Sequence, residues 1–302
     1  MYISNAFKIK ALTDRGGIYQ GKRKLQPRRR MATPQQQEED SEDDTNPIKV
    51  LLPGNENGFS ELQRDTPAQQ VQQHYIRSIN STVVIRQLPS QGLSFQLWPA
   101  ATTLVTLLDN HSTSPLSPIL DAISNGPTLG SLRILELGSG TGIVGIAAAV
   151  TLGAKVMVTD LPHVIPNLQF NVDANVDVLA SRGGTVSVAA LRWGEDADVE
   201  AVGREFDLVL ASDVVYYDHL YDPLLKTLRL LMLGEGKKMV FVMAHLKRWK
   251  KDSAFFKRAK KVFNVEVVYV DRPSEGSRVG VVVYRFASKA QRLPSSLKSN
   301  SW

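Results

Sequence analysis

From about residue 133 onward, short apolar, β-branched runs alternate with longer stretches whose apolar positions recur at helical spacing. Runs at Arg133–Leu137, Lys155–Thr159, Thr185–Ala190, Phe206–Ser212 and Lys238–Ala244 predict strands. Stretches at Thr141–Leu152, Val164–Val176, Tyr217–Met232 and Lys250–Val262 predict helices. Strands apolar on both faces belong in a parallel sheet covered on both sides. The rhythm breaks near the end, where Asn264–Val270 and Arg278–Phe286 have only a Pro/Ser/Gly turn between them. That turn is too short for a parallel crossover, so this pair must be an antiparallel hairpin. The expected fold class is α/β: a seven-stranded, mostly parallel sheet with a C-terminal antiparallel hairpin.

Upstream, Ser81–Leu88 and Leu93–Trp98 read as two short strands joined by a Pro-Ser-Gln-Gly turn. Ala100–Asn110 and a piece around Ile119–Ser124 read as helices. Together they form a small N-terminal β/α extension, over 66–130, that packs on a core domain at 131–287. Residues 288–302 read as a loose tail. Residues 1–65 read as disordered, first basic and then acidic, with six acids in seven positions from Glu38 to Asp44.

Composition narrows the class. The 302 residues are 43% hydrophobic and 22% charged, ordinary for a soluble globular protein, and contain no apolar run of 18 or more. No membrane association is expected. The absence of cysteine removes disulfides, thiolate zinc sites and a thiol nucleophile together. It fits a reducing compartment, so a cytoplasmic protein is expected, with a nuclear one also open. The net charge of +6 is concentrated in residues 1–30, where nine Lys/Arg face Asp14 alone for a net of +8, leaving −2 for the remainder. A nearly neutral body does not read as a nucleic-acid-binding domain. The basic segment leaves open a disordered tail, an organelle transit peptide, or an upstream extension ahead of a working start at Met31.

The densest chemical signal is Ile134–Ala149, ILELGSGTGIVGIAAA, with four glycines in eight residues between a strand and an alanine-rich helix. Such a turn lets a ligand approach the backbone closely and opens a helix whose free N–H groups favour an electronegative group. GTGIVG also matches G-x-G-x-x-G, whereas no Gly-Lys-Ser/Thr follows, which excludes a P-loop. Two carboxylates frame the turn. Asp160 ends the next strand, 20 residues after Gly140, where an acid reaches ribose hydroxyls of either a nicotinamide dinucleotide or an adenosyl-methionine cofactor. Glu136 beside the turn repels pyrophosphate and suits the cationic methionine end of S-adenosylmethionine. The bland readings are a backbone cap for Glu136 and a turn former for Asp160.

These residues resemble the class I methyltransferases, and within them methyltransferase family 16, the seven-β-strand protein lysine methyltransferases with a Rossmann-like sheet. The likeness spans about Val83 to Phe286. It rests on the glycine motif, on VTDLPHVIPNLQFNVDAN, on LRWGE at Leu191–Glu195, on the Asp213-Val-Val-Tyr216 motif in FDLVLASDVVYYDHLYDPLLKTL, and on FQLWPAA upstream. The resemblance implies S-adenosyl-L-methionine as cofactor. It places Trp98, Gly138, Ser139, Gly140, Asp160, Trp193 and Ser212 around that cofactor, beside Glu136, which the charge argument adds to the cofactor-binding set. It implies a protein lysine as methyl acceptor, with Asp213 and Tyr216 as catalytic residues. Asp213 could orient the amine or help remove its proton, or could cap the helix near Tyr217 instead. Tyr216 offers a ring to the lysine stem or head.

The chain lacks Asn/Asp-Pro-Pro-Tyr after the fourth strand, which disfavours methylation of nucleobases. The five histidines have no metal-ligand spacing, so no metal is expected. Lys247, Arg248, Lys250 and Lys251 read as a solvated face or as a surface for an acidic partner. A monomer is expected. The alternatives are an NAD-binding oxidoreductase, which would need a Tyr-Lys or His-acid set that is not visible, and a methyltransferase-like protein that takes a small molecule or only binds cofactor.

Overall fold

The structure is a computed structural model, and it describes residues 69–124, 132–233, 239–272 and 280–289. The expectations for residues 1–65 and for the tail beyond 289 lie outside these residues. The chain opens with β1 (Gln70–Ile76) and β2 (Ser81–Gln87), followed by α1 (Pro99–Asp109) and α2 (Ser117–Ile123). The main run is then β3 (Arg133–Leu137), α3 (Ile143–Leu152), β4 (Lys155–Asp160), α4 (Ile165–Asp173), α5 (Val176–Arg182), β5 (Thr185–Ala190) and α6 (Asp196–Val202). It ends with β6 (Leu208–Ser212), α7 (Tyr221–Met232), β7 (Val240–Leu246), α8 (Ser253–Val262), β8 (Phe263–Val270) and β9 (Val281–Ser288).

Seven strands form one Rossmann-like sheet in the order β5-β4-β3-β6-β7-β9-β8. Strands β3 to β7 are parallel, and β9 runs antiparallel to both β7 and β8. The expected sheet and its terminal hairpin are therefore both present. Period-2 alternation divides the core between the two faces. Ile134, Leu208 and Leu210 pack with α1 and α3, whereas Leu135, Leu137, Val209 and Ala211 pack with α6, α7 and α8. Every residue of α3 is buried, which is why Ile143–Leu152 is apolar all round and carries no polar face.

The chain enters the sheet at its middle, moves outward through β4 and β5, and returns to place β6 on the other side of β3. That reversal makes the carboxyl ends of β3 and β6 the topological switch point, where open α/β sheets bind ligands.

The N-terminal region departs from expectation. β2 pairs antiparallel with β1, in a separate two-stranded sheet. Leu93–Trp98 is not a strand: Leu93–Phe95 forms a single 3-10 turn after Gly92, whose φ is 122°. The backbone edge of β2 not facing β1 is instead taken by side chains of α4 and its C-terminal flank. Asn171 Oδ1 accepts the Arg86 N–H at 2.8 Å, and Asn175 Oδ1 accepts the Val84 N–H at 2.8 Å. Asn175 Nδ2 returns a bond to the Val84 carbonyl at 2.8 Å, so buried amides satisfy groups a third strand would have used. The stretch 164–176 also breaks into α4 and α5, and α6 arises where no helix was expected. Among the described residues no helix is long and apolar enough to cross a membrane.

Candidate active site

Gly138, Gly140 and Gly142 all adopt left-handed φ, at 63°, 55° and 82°, conformations that a side chain would strain. The turn they make is closed on itself. Ser139 N–H bonds the Thr159 carbonyl at 2.9 Å, and Gly142 N–H bonds the Ser139 carbonyl at 2.8 Å. Gly140 N–H donates to Asp160 Oδ2 at 2.8 Å, and Gly145 N–H donates to Glu136 Oε2 at 2.9 Å. A pyrophosphate cradle needs such N–H groups free and pointing outward. Here four of them are already bound to the chain's own acceptors, two of which are side-chain carboxyl groups.

Glu136 lies wholly buried beneath the first turn of α3. Its bond to Gly145 is a backbone cap, while Oε1 is buried without a hydrogen-bond partner. Burial pushes its carboxyl up to about 8, against the opposing effect of the Gly145 N–H. Asp160 ends β4 with one oxygen on Gly140 N–H and the other on its neighbour Leu161 N–H at 2.7 Å. Burial raises its carboxyl above the usual range, and these two N–H bonds and His163 oppose the rise. Each carboxylate oxygen still has acceptor capacity beyond its one bond.

Trp193 covers the turn from the β5 side: a Cβ on Gly138 would come within 2.9 Å of the indole Cζ2. The following Gly194 is pinned by Thr227 Oγ1 at 2.8 Å and by Lys226 Nζ at 2.8 Å. The segment before α1 covers it from the other side, since the Ser94 carbonyl would lie 3.0 Å from a Cβ on Gly140. Trp98, which follows, donates its indole N–H to the Leu93 carbonyl at 2.9 Å. Ser212 closes β6 opposite Ala244.

Asp213 is one of two non-glycine residues with positive φ among the described residues, at 55°. Its carboxylate does not cap a helix. The 3-10 turn Asp218–Leu220 and α7 both start without a side-chain cap, and the carboxylate faces the end of β7 instead. Oδ1 accepts the Leu246 N–H at 2.9 Å and Arg248 Nη1 at 3.1 Å, while Oδ2 accepts Arg248 Nη2 at 3.0 Å. Arg248 is thus turned inward, away from the basic group read as a solvated face or a surface for an acidic partner; Lys247, Lys250 and Lys251 stay exposed. Behind Asp213 lies His245, fully buried, with Nε2 3.3 Å from Asp252 Oδ2 and Nδ1 3.9 Å from Asp213 Oδ1. Tyr216 is half-buried, its ring tilted against Tyr217. Its phenol is pushed up to about 12 by burial first and by the Asp160 carboxylate second, so it stays neutral.

A profile of the lysine methyltransferase family, methyltransferase family 16, matches residues 78–262, well over half of the chain. This chain belongs to the lysine methyltransferase family. The match includes the glycine turn, Asp160, Trp193 and the Asp213–Tyr216 motif. Among similar curated proteins is the protein N-lysine methyltransferase METTL21A of Danio rerio, 32% identical over 194 residues, covering 64% of this chain and 77% of that protein. The Mus musculus METTL21A is 32% identical over 214 residues, covering 70% and 86% respectively. The EEF1A lysine methyltransferase 3 of Mus musculus is 32% identical over 195 residues, covering 64% and 72%. The cofactor of this lysine methyltransferase is S-adenosylmethionine.

The residues present fit that cofactor. A buried acid with spare acceptor capacity suits a ribose diol, an indole ring beside Gly138 suits an adenine, and the inward-bound N–H groups leave no phosphate cradle. Arg248, His245 and the asparagines of α4 were the residues that sequence reasoning missed. Asn167, Asn171 and Asn175 recur every four residues, a polar stripe on one helical face that was readable as a contact surface. Arg248 carried no such signal, because its neighbours Lys247, Lys250 and Lys251 look the same in sequence.

Proposed function

We propose that this lysine methyltransferase holds S-adenosylmethionine over the Gly138–Gly142 turn and methylates a lysine of a protein partner at Asp213 and Tyr216. Trp98, Glu136, Gly138, Ser139, Gly140, Asp160, Trp193 and Ser212 would form the cofactor pocket, Asp160 accepting from the ribose and Trp193 lying along the adenine. When bound, the cofactor supplies an electrophilic methyl group on a sulfonium that is already a good leaving group.

The chain's own part is then placement. A lysine ammonium has no lone pair to attack with, so it enters after losing its proton. Tyr216 presents a neutral ring to the lysine stem, and Asp213 takes one N–H of the amine, which aims the remaining lone pair. Holding the reacting atoms in line supplies most of the rate gain in such a transfer. The observation that carries this reading is the switch point itself, where the ends of β3, β4 and β6 bring Gly140, Asp160 and Asp213 to one edge of the sheet.

The test combines calorimetry and labelling. The protein should bind S-adenosylhomocysteine and not NAD, and should pass tritiated methyl from S-adenosylmethionine to lysines of proteins in a cell extract. Binding of NAD without the adenosyl ligand, or label confined to small molecules, would overturn the proposal.

A further inference from the structure

Arg248 is 10% exposed, and the Asp213 carboxylate it meets is 3% exposed. Both terminal nitrogens of the guanidinium engage both carboxylate oxygens, at 3.1 and 3.0 Å. This two-point geometry fixes the plane of the carboxylate as well as its position. The guanidinium is itself oriented by its neighbours. Nη1 reaches the Leu246 carbonyl at 3.4 Å, and the central carbon sits 5.4 Å from the centroid of the Trp98 ring. The buried His245 imidazole lies between the two acids, with Nδ1 3.9 Å from Asp213 Oδ1 and Nε2 3.3 Å from Asp252 Oδ2.

This arrangement has a chemical consequence. Oδ1 already accepts two hydrogen bonds and Oδ2 one, which leaves Oδ2 with the open acceptor position. A carboxylate paired in this way is held in both position and plane by the guanidinium fork. It remains a good fixed anchor for one N–H of an incoming amine.

We propose that Arg248 is a positioning residue of the methyl-acceptor site, locking the Asp213 carboxylate so that it orients the lysine amine. The inference rests on the reading of Asp213 as the acceptor-site acid. The amine's proton leaves to solvent before the amine enters.

The test uses the full chain with Arg248→Gln, Arg248→Lys, Asp213→Asn and the Asp213→Asn/Arg248→Gln double variant. Each is measured for S-adenosylhomocysteine affinity by calorimetry, and for the rate of tritiated methyl transfer to extract proteins at saturating donor. Arg248→Gln and Asp213→Asn should each slow transfer about tenfold or more, with donor affinity within about threefold of the unaltered chain. The double variant should be no slower than Asp213→Asn alone, the non-additivity expected when one residue acts through another. Arg248→Lys keeps the charge and loses the fork, so it should also be slow. If Arg248→Gln does not fold, because it leaves the Asp213 charge buried and unpaired, Arg248→Lys decides the question. Transfer at the unaltered rate in a folded Arg248 variant, or full additivity in the double variant, would overturn the proposal. Absence of labelling by the unaltered chain would instead sink the lysine-transfer reading on which it rests.

Discussion

Replacing Glu136 by glutamine keeps the shape of the side chain and removes its titratable proton. The carboxyl is wholly buried at the end of β3, with one oxygen on the Gly145 N–H and the other unpartnered. It ionises at 4.5 when unperturbed and near 8 in the folded chain. Between those values the folded state holds a proton that the unfolded state has released, so stability falls as pH rises. The slope for one such group is about 1.4 kcal/mol per pH unit. Across the interval from 4.5 to about 8 it sums to a ceiling of ~5 kcal/mol. Asp160, whose carboxyl is also raised, adds to the trend in the same direction and is common to both proteins. Glu136→Gln should therefore be little changed at pH 5 and clearly more stable than the unaltered chain at pH 9. Urea unfolding followed by tryptophan fluorescence from pH 5 to 9 measures the difference directly. Parallel stability profiles for the two proteins would refute the reasoning, since the glutamine cannot titrate.

Three further outcomes follow from the same structure. Asn171→Leu strips the Arg86 N–H and the Thr141 carbonyl of their partners at 2.8 and 2.9 Å; it should cost about 2–4 kcal/mol, seen as a lowered Tm and faster hydrogen exchange at the Arg86 amide. Gly138→Ala puts a Cβ 2.9 Å from Trp193 at a φ of +63°; it should destabilise by about 1–3 kcal/mol, shift tryptophan emission and weaken S-adenosylhomocysteine binding in calorimetry. Tyr216→Phe should keep most methyl transfer while Tyr216→Ala loses about tenfold, because the phenol, pushed up to about 12, stays neutral and the role proposed for Tyr216 uses its ring. Equal losses in the two Tyr216 variants, read by the labelling assay, would contradict that role.

Local patterns made much of this legible in advance. The strand at Arg133–Leu137, the glycine turn and the acid at Asp160 are signalled within short windows, by β-branched runs, by residues that tolerate positive φ, and by a strand-end position. The terminal hairpin was also readable, because its connection is too short to allow anything but antiparallel pairing.

Leu93–Trp98 shows where such reasoning stops. A short apolar run becomes a strand only if an edge is available, and the edge of β2 was already taken by β1 on one side and by Asn171 and Asn175 on the other. Those asparagines act across 85 and 91 residues of sequence, a range over which no local propensity operates. The Asp213–Arg248 pair is of the same kind. The motif marked Asp213, but its partner was one basic residue among several. Only the placement of β7 beside β6 turned Arg248 inward while Lys247, Lys250 and Lys251 remained in water. The sequence alone determined the alternation of strands and helices in the main sheet and the strand ends at which the candidate site's acids lie. The tertiary structure decided which charge each acid meets, because that depends on chain segments brought together by packing.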